Sequence, residues 1–258
     1  MSARPASPQL SMVGEATLLR RLRAAQPVFV LFRTRQAAAC RALAEILARL
    51  SPHYAEQAAV LSVDAERAPM LAEQFGVAAA PTLLALRDHE ELARLTGFAP
   101  EPILQLFLND VLTGALEPGR IWSPVEQAFE DAVIVPLLDG WGWRYGRQVA
   151  CPPHPGQTVV RGRVDILVYD EATAAPLTLF EAKRQIATSA ALRQACAQAS
   201  GYAQALGLGA FVVAAPAGMW VYRQQGAQVR LEQACTSLEV ATHPELIKHA
   251  LLSARGDQ

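Results

Sequence analysis

Residues 163–184 read RVDILVYDEATAAPLTLFEAKR: two apolar, β-rich runs separated by a turn, with charges set inside them. Asp165 lies among Val164, Ile166, Leu167 and Val168. Glu181 and Lys183 follow Leu177, Leu179 and Phe180. Strand side chains alternate between faces, so Glu181 and Lys183 share a face, roughly 7 Å apart along the strand. Asp165 shares its face with Leu167 and Tyr169, while Val164, Ile166 and Val168 point the other way. If the two runs pair, one rim of the sheet gathers Asp165, Glu181 and Lys183. Two carboxylates in one apolar setting repel each other and are costly to bury unpaired. A divalent cation between them removes that cost. Mg2+ suits the site, since it takes oxygen ligands and needs one or two protein carboxylates, with Mn2+ as a substitute. The neighbouring ammonium can orient or deprotonate a water, or stabilise charge developing on phosphate. A plainer reading of the same residues is a structural Asp165–Lys183 ion pair at a sheet end.

The chain has 258 residues, and about 100–200 residues per domain suggests two domains. A composition 52% hydrophobic and 18% charged is that of an ordinary globular protein. No apolar run approaches the roughly 20 residues that span a bilayer, and the N-terminus lacks the apolar stretch of a secretory signal. The expectation is a cytoplasmic protein with no membrane partner. Cys40, Cys151, Cys196 and Cys235 form no C-x-x-C pair, which argues against a zinc site. A net charge of −1 gives no global attraction to nucleic acid. Locally the balance differs: Arg144 to Arg193 holds seven basic residues against four acids. Of 23 basic residues, only Lys183 and Lys248 are lysines, so a compact point charge beside Glu181 stands out.

Residues 14–50 read as helix, strand, helix, with PVFVLF as the strand. AAVLSVD is a second strand, APMLAEQFG a short helix, PTLLALRD and ELARLTGF a strand pair, and PEPILQLFLNDVLTGA a closing helix. This alternation implies an α/β domain over residues 1–115 with a mixed sheet and flanking helices. LEPGRIWSP marks a linker at 116–123. Ser123 then reads as an N-cap, with Pro124 opening the helix VEQAFEDAVIVPLLDGWGW. A polar loop (ACPPHPGQT), the two charged strands, a helix near 187–206 and a hairpin-like pair complete a domain over 124–240. A strand, a short C-terminal helix and a polar tail end the chain, with 241–258 set apart.

The order of these elements resembles the PD-(D/E)xK nuclease superfamily, and its wording is closest to the nuclease domain of type I restriction enzyme motor subunits and to RecB-like nucleases. The resemblance covers roughly residues 123–225: Glu126 on an opening helix, Asp165 in RVDILV, Glu181 and Lys183 in FEAKR, and Gln198 with Tyr202 in QASGY. It implies a restriction-endonuclease-like α/β/α domain. By that resemblance Asp165 and Glu181 would hold Mg2+, with the Ala182 carbonyl and Glu126 as further ligands. Glu130, one turn beyond Glu126, is the alternative helix acid. Lys183 would serve the attacking water. Gln198 and Tyr202, four apart on one helix face, would contact the backbone near the cleaved phosphate, and Arg161, Arg163 and Arg184 flanking phosphates.

Residues 14–114 resemble thioredoxins: PVFVLFRTRQAAACRALAEIL matches the strand and active-site helix, and Ala80-Pro81-Thr82 stands where the family's cis-proline does. Where that family has C-x-x-C, this chain has Ala37-Ala38-Ala39-Cys40. Leu31 replaces a buried acid and Gln36 a tryptophan. From these three losses disulfide exchange is rejected, and Cys40 is read as a small buried side chain. A groove beside Cys40 and Pro81 would hold a protein partner, or the domain would self-associate. The resulting expectation is a metal-dependent endodeoxyribonuclease, not a thiol–disulfide oxidoreductase, acting on DNA in defence or DNA processing. Its alternatives are a non-cleaving nucleic-acid-binding or assembly protein and a thioredoxin-like chaperone or scaffold.

Overall fold

A computed structural model describes residues 9–116, 122–151 and 162–255. The chain divides into two compact units, residues 1–123 and 124–258. Most of the expected linker (117–121), the polar loop and Arg161 lie outside the described residues. Among the described residues no helix is long and apolar enough to cross a membrane.

The first unit runs α1 (Glu15–Arg21), β1 (Val28–Arg33), α2 (Ala38–Tyr54), β2 (Ala59–Asp64), α3 (Pro69–Gln74), β3 (Thr82–Arg87), β4 (Glu90–Thr96) and α4 (Glu101–Thr113). Its sheet is ordered β2-β1-β3-β4, with β1 parallel to β2 and antiparallel to β3, and β3 antiparallel to β4. The sequence explains the central position of β1. Val28 to Phe32 are all buried, and a strand covered on both faces needs such an unbroken apolar run. Val28, Val30 and Phe32 join Leu18, Leu22, Val63, Leu71, Leu84 and Leu86 in one core. On the other face Phe29 meets Phe107 of α4 edge-on, with ring centroids 6.0 Å apart. Asp88 and His89 close the β3–β4 hairpin, both at positive φ, as a two-residue turn matching strand twist requires. The Ala80–Pro81 bond is cis.

The second unit opens with α5 (Glu126–Phe129), a π-helical stretch (Glu130–Ile134) and α6 (Val135–Gly140). It continues through β5 (Arg144–Ala150), β6 (Arg163–Tyr169), β7 (Pro176–Ala182), α7 (Ser189–Ala205), β8 (Ala210–Ala215), β9 (Gly218–Gln225), β10 (Gln228–Thr236), α8 (Ser237–Thr242) and α9 (Glu245–Arg255). The sheet order is β10-β9-β8-β7-β6-β5, mixed, with β7 and β8 as its parallel pair. Leu167, Leu179, Phe211 and Val213 of the sheet pack with Ala195, Ala199, Tyr202 and Ala203 of α7. Thr188 caps α7, its hydroxyl accepting from the Ala191 amide at 3.1 Å.

Four features depart from the sequence expectations. Ser123 is not the N-cap of the opening helix; Val125 holds that position without a side-chain bond. That helix is not regular either. Pro136 has no amide to offer Ala132, and the ladder widens to i→i+5, with Val135 donating to Glu130. The edge strand β5, RYGRQVA, was not anticipated, because its charged residues give no apolar period. The C-terminal segment holds two helices where one short helix was expected, and α9 packs on β9 and β10.

Candidate metal centre

The ladder between β6 and β7 ends at Ile166 opposite Phe180, and the next residues outward are Asp165 and Glu181. There the backbone pairing is replaced by a side chain: Asp165 Oδ2 accepts the Ala182 amide at 2.8 Å. Two residues inward on the same face are Leu167 and Leu179, in the core beneath α7. The acids therefore sit at the rim of a covered face, where Asp165 is half-buried and Glu181 is 1% exposed. Lys183 follows β7 and extends its pairing, its amide donating to the Ala214 carbonyl at 2.8 Å. Its Nζ reaches Glu181 Oε1 at 2.7 Å, so the lysine pairs with Glu181 and not, as the plainer reading had it, with Asp165.

Glu126, the first residue of α5, accepts the Arg184 amide on Oε1 at 3.3 Å and adds its charge to the field on Asp165 and Glu181. Glu130 is 2% exposed and bound to Arg147 Nη2 at 2.9 Å, while Nη1 of the same guanidinium holds Asp131. Both helix acids feel Asp165 or act on it, and Glu130 is in addition paired with an arginine. Asp165 Oδ1 accepts from Gln148 Nε2 at 3.1 Å.

The electrostatics follow from burial. Burial first, and the charge of Asp165 second, push Glu181 up to about 7, against the pull of Lys183. Asp165 is also raised, by burial, with the Ala182 and Gln148 hydrogen bonds opposing. Burial works against the charge on Lys183, but the Glu181 bond and the surrounding carboxylates outweigh it, and its pKa rises. With no cation bound, the surrounding carboxylates favour the ammonium form of Lys183.

Whether these residues fit a cation is tested by one atom. Glu181 Oε2 is buried and has no hydrogen-bond partner among the described residues. An orphaned carboxylate oxygen beside a second carboxylate is costly unless a cation answers it. Among the described residues no group of three or more His, Cys, Asp or Glu converges, so the donors available are the Asp165–Glu181 pair with Glu126 nearby. Such a pair matches Mg2+, which keeps several waters and takes one or two protein carboxylates. The Ala182 contact seen here is its amide on Asp165.

The remaining expected site residues divide. Gln198 Nε2 donates to Tyr202 Oη at 3.4 Å, and Tyr202 is 9% exposed, lying against Gly162, where a Cβ would overlap its hydroxyl. Among the described residues no hydrogen bond joins this pair to Asp165 or Glu181. Arg163 and Arg184 are exposed, and Arg161 lies outside the described residues. In the first unit Cys40 is fully buried, its sulfur accepting the Thr34 amide at 3.4 Å, and Pro81 is buried too. The burial of Cys40 agrees with its reading as a small buried side chain. Sequence reasoning missed Gln148 and Arg147, both on the unanticipated β5, whose residues carry no period that could have signalled them.

Comparison with known proteins places the first unit. The thioredoxin family model matches residues 12–110. The thioredoxin of Alicyclobacillus acidocaldarius is 26% identical over 98 residues, covering 38% of this chain and 93% of that protein. Thioredoxin C-2 of Corynebacterium nephridii is 33% identical over 88 residues, covering 34% and 82%. The thioredoxin of Bacillus subtilis is 30% identical over 70 residues, covering 27% and 67%. These matches overturn the enzyme class expected from the sequence, an endodeoxyribonuclease to the exclusion of a thiol–disulfide oxidoreductase. The matched domain is of the thiol–disulfide oxidoreductase type, although Ala37 stands three residues before Cys40 within it. Through residues 12–110, the chain belongs to the thioredoxin family.

Proposed function

We propose that the second unit is a restriction-endonuclease-like domain of the PD-(D/E)xK type whose carboxylate pair holds Mg2+ or Mn2+ and engages the phosphodiester backbone of nucleic acid, DNA first. The observation that carries this reading is the buried Oε2 of Glu181 beside Asp165, without a hydrogen-bond partner among the described residues. A divalent cation there supplies a Lewis acid against a phosphate oxygen and a water of lowered pKa. The chain's own residues do the rest. Asp165 and Glu181 supply the negative charge. Lys183, held as an ammonium by Glu181, presents a positive charge to a phosphate at the same rim. Arg163 and Arg184, both exposed, would contact flanking phosphates.

The thioredoxin-like unit acts in this reading as a protein-interaction or self-association module. The chain as a whole serves DNA processing or defence in the cytoplasm, where four unpaired cysteines are at home.

The test uses the purified full chain with labelled duplex DNA, single-stranded DNA and RNA, each with Mg2+, Mn2+ or EDTA. Cation-dependent retention of DNA, lost in Asp165→Asn and weakened in Lys183→Ala, is the expected result; strand breaks in the same reactions report whether hydrolysis follows. Equal retention with EDTA, or in Asp165→Asn, overturns the reading.

A further inference from the structure

We infer that Gln148 is a positioning residue for the cation site, holding Asp165 in the orientation that leaves its lone pairs open; the inference rests on the metal-centre reading above. Gln148 lies on β5 between Arg147, paired with Ile166, and Val149, paired with Val164, so it stands across from Asp165. Its amide donates to Oδ1 at 3.1 Å, while the Ala182 amide holds Oδ2 at 2.8 Å. The carboxylate is therefore fixed at both ends, and each oxygen keeps a further acceptor site.

Two details separate this contact from an ordinary edge-strand hydrogen bond. The first is the backbone. Gln148 has a φ of 50°, in the left-handed region that residues other than glycine, asparagine and aspartate rarely adopt. Strain of this kind persists only where surrounding structure imposes it. The second is the choice of donor. The neighbouring Arg147 is directed to Glu130 and Asp131, and Lys183 to Glu181. The donor left for Asp165 carries no charge. A guanidinium would bind the carboxylate more tightly but would repel a divalent cation; a neutral amide orients it without that opposition.

The test is Mn2+ binding to the full chain, followed by loss of the free-ion electron paramagnetic resonance signal, together with the melting temperature of the metal-free chain. Gln148→Gly removes the donor and relieves the left-handed strain; Gln148→Leu removes the donor and keeps side-chain bulk. Both are expected to weaken Mn2+ binding by about 10- to 100-fold, the range for losing a supporting hydrogen bond. Gln148→Gly is expected to melt no lower than the parent, so binding and stability part company, which a merely structural residue would not produce. Parent-like Mn2+ affinity in Gln148→Gly and Gln148→Leu overturns this inference and leaves the metal centre standing. No stoichiometric Mn2+ binding by the parent chain overturns the metal centre itself.

Discussion

Asp64 and Glu181 are buried acids at strand ends, one in each unit, and they are buried on different terms. Asp64 is 5% exposed and fully answered. Its Oδ1 accepts the Glu66 and Arg67 amides at 3.2 and 3.3 Å, and its Oδ2 faces Arg35 Nε at 3.0 Å. Glu181 is 1% exposed, gives one oxygen to Lys183, and leaves the other with no partner among the described residues. Glu130, in the same unit as Glu181, resembles Asp64, since Arg147 satisfies it. Burial of an acid is therefore compatible with plain structure. What marks a site is a buried acid whose bonding is incomplete, set beside another acid.

The comparison breaks or sharpens most strongly on Glu181→Gln. Loss of Mn2+ affinity beyond the ~100-fold upper range for a supporting residue is expected, read by the same resonance titration. The metal-free chain should melt no lower than the parent, because the change removes a buried charge without removing a completed network. A drop in melting temperature on the scale of an Asp64 variant would place the two acids in one class.

Asp64→Ala is the counterpart. It strips partners from two amides and a guanidinium, and should cost about 1–3 kcal/mol in urea unfolding. Mn2+ affinity should stay at the parent value.

The smallest effect concerns pH in the metal-free chain. Glu181 has a folded pKa raised from 4.5 to about 7, so the folded state binds the proton more tightly than the unfolded one. Stability from this group is fully present below pH 4.5 and is lost as pH rises through 7. The melting temperature of the parent should fall by a few degrees relative to Glu181→Gln between about pH 5 and 8. Parallel curves would show that burial does not act on Glu181 as described.

The first unit was legible because each of its central strands is a continuous apolar run: PVFVLF and PTLLAL announce burial on both faces and leave little choice of element. Asp165, Glu181 and Lys183 were legible for the opposite reason, as charges inside such runs, and period two correctly put them on one face. β5 was not legible. An edge strand with one half-exposed face needs no apolar alternation, so RYGRQVA carries no period. With β5 went Gln148 and Arg147, and with Arg147 the partner of Glu130. Cys40, read as a small buried side chain at the start of a helix, is fully buried.

The widened turn at Glu130–Ile134 has a consequence for the length of the chain there. A regular helix advances about 100° per residue. Removing one residue from 131–134 would close the wide turn into an ordinary one and leave Ile134 and Leu138, both fully buried, near their present azimuth. The widened turn absorbs one extra residue, so a single-codon deletion there should do less harm than one in a regular turn of the same helix.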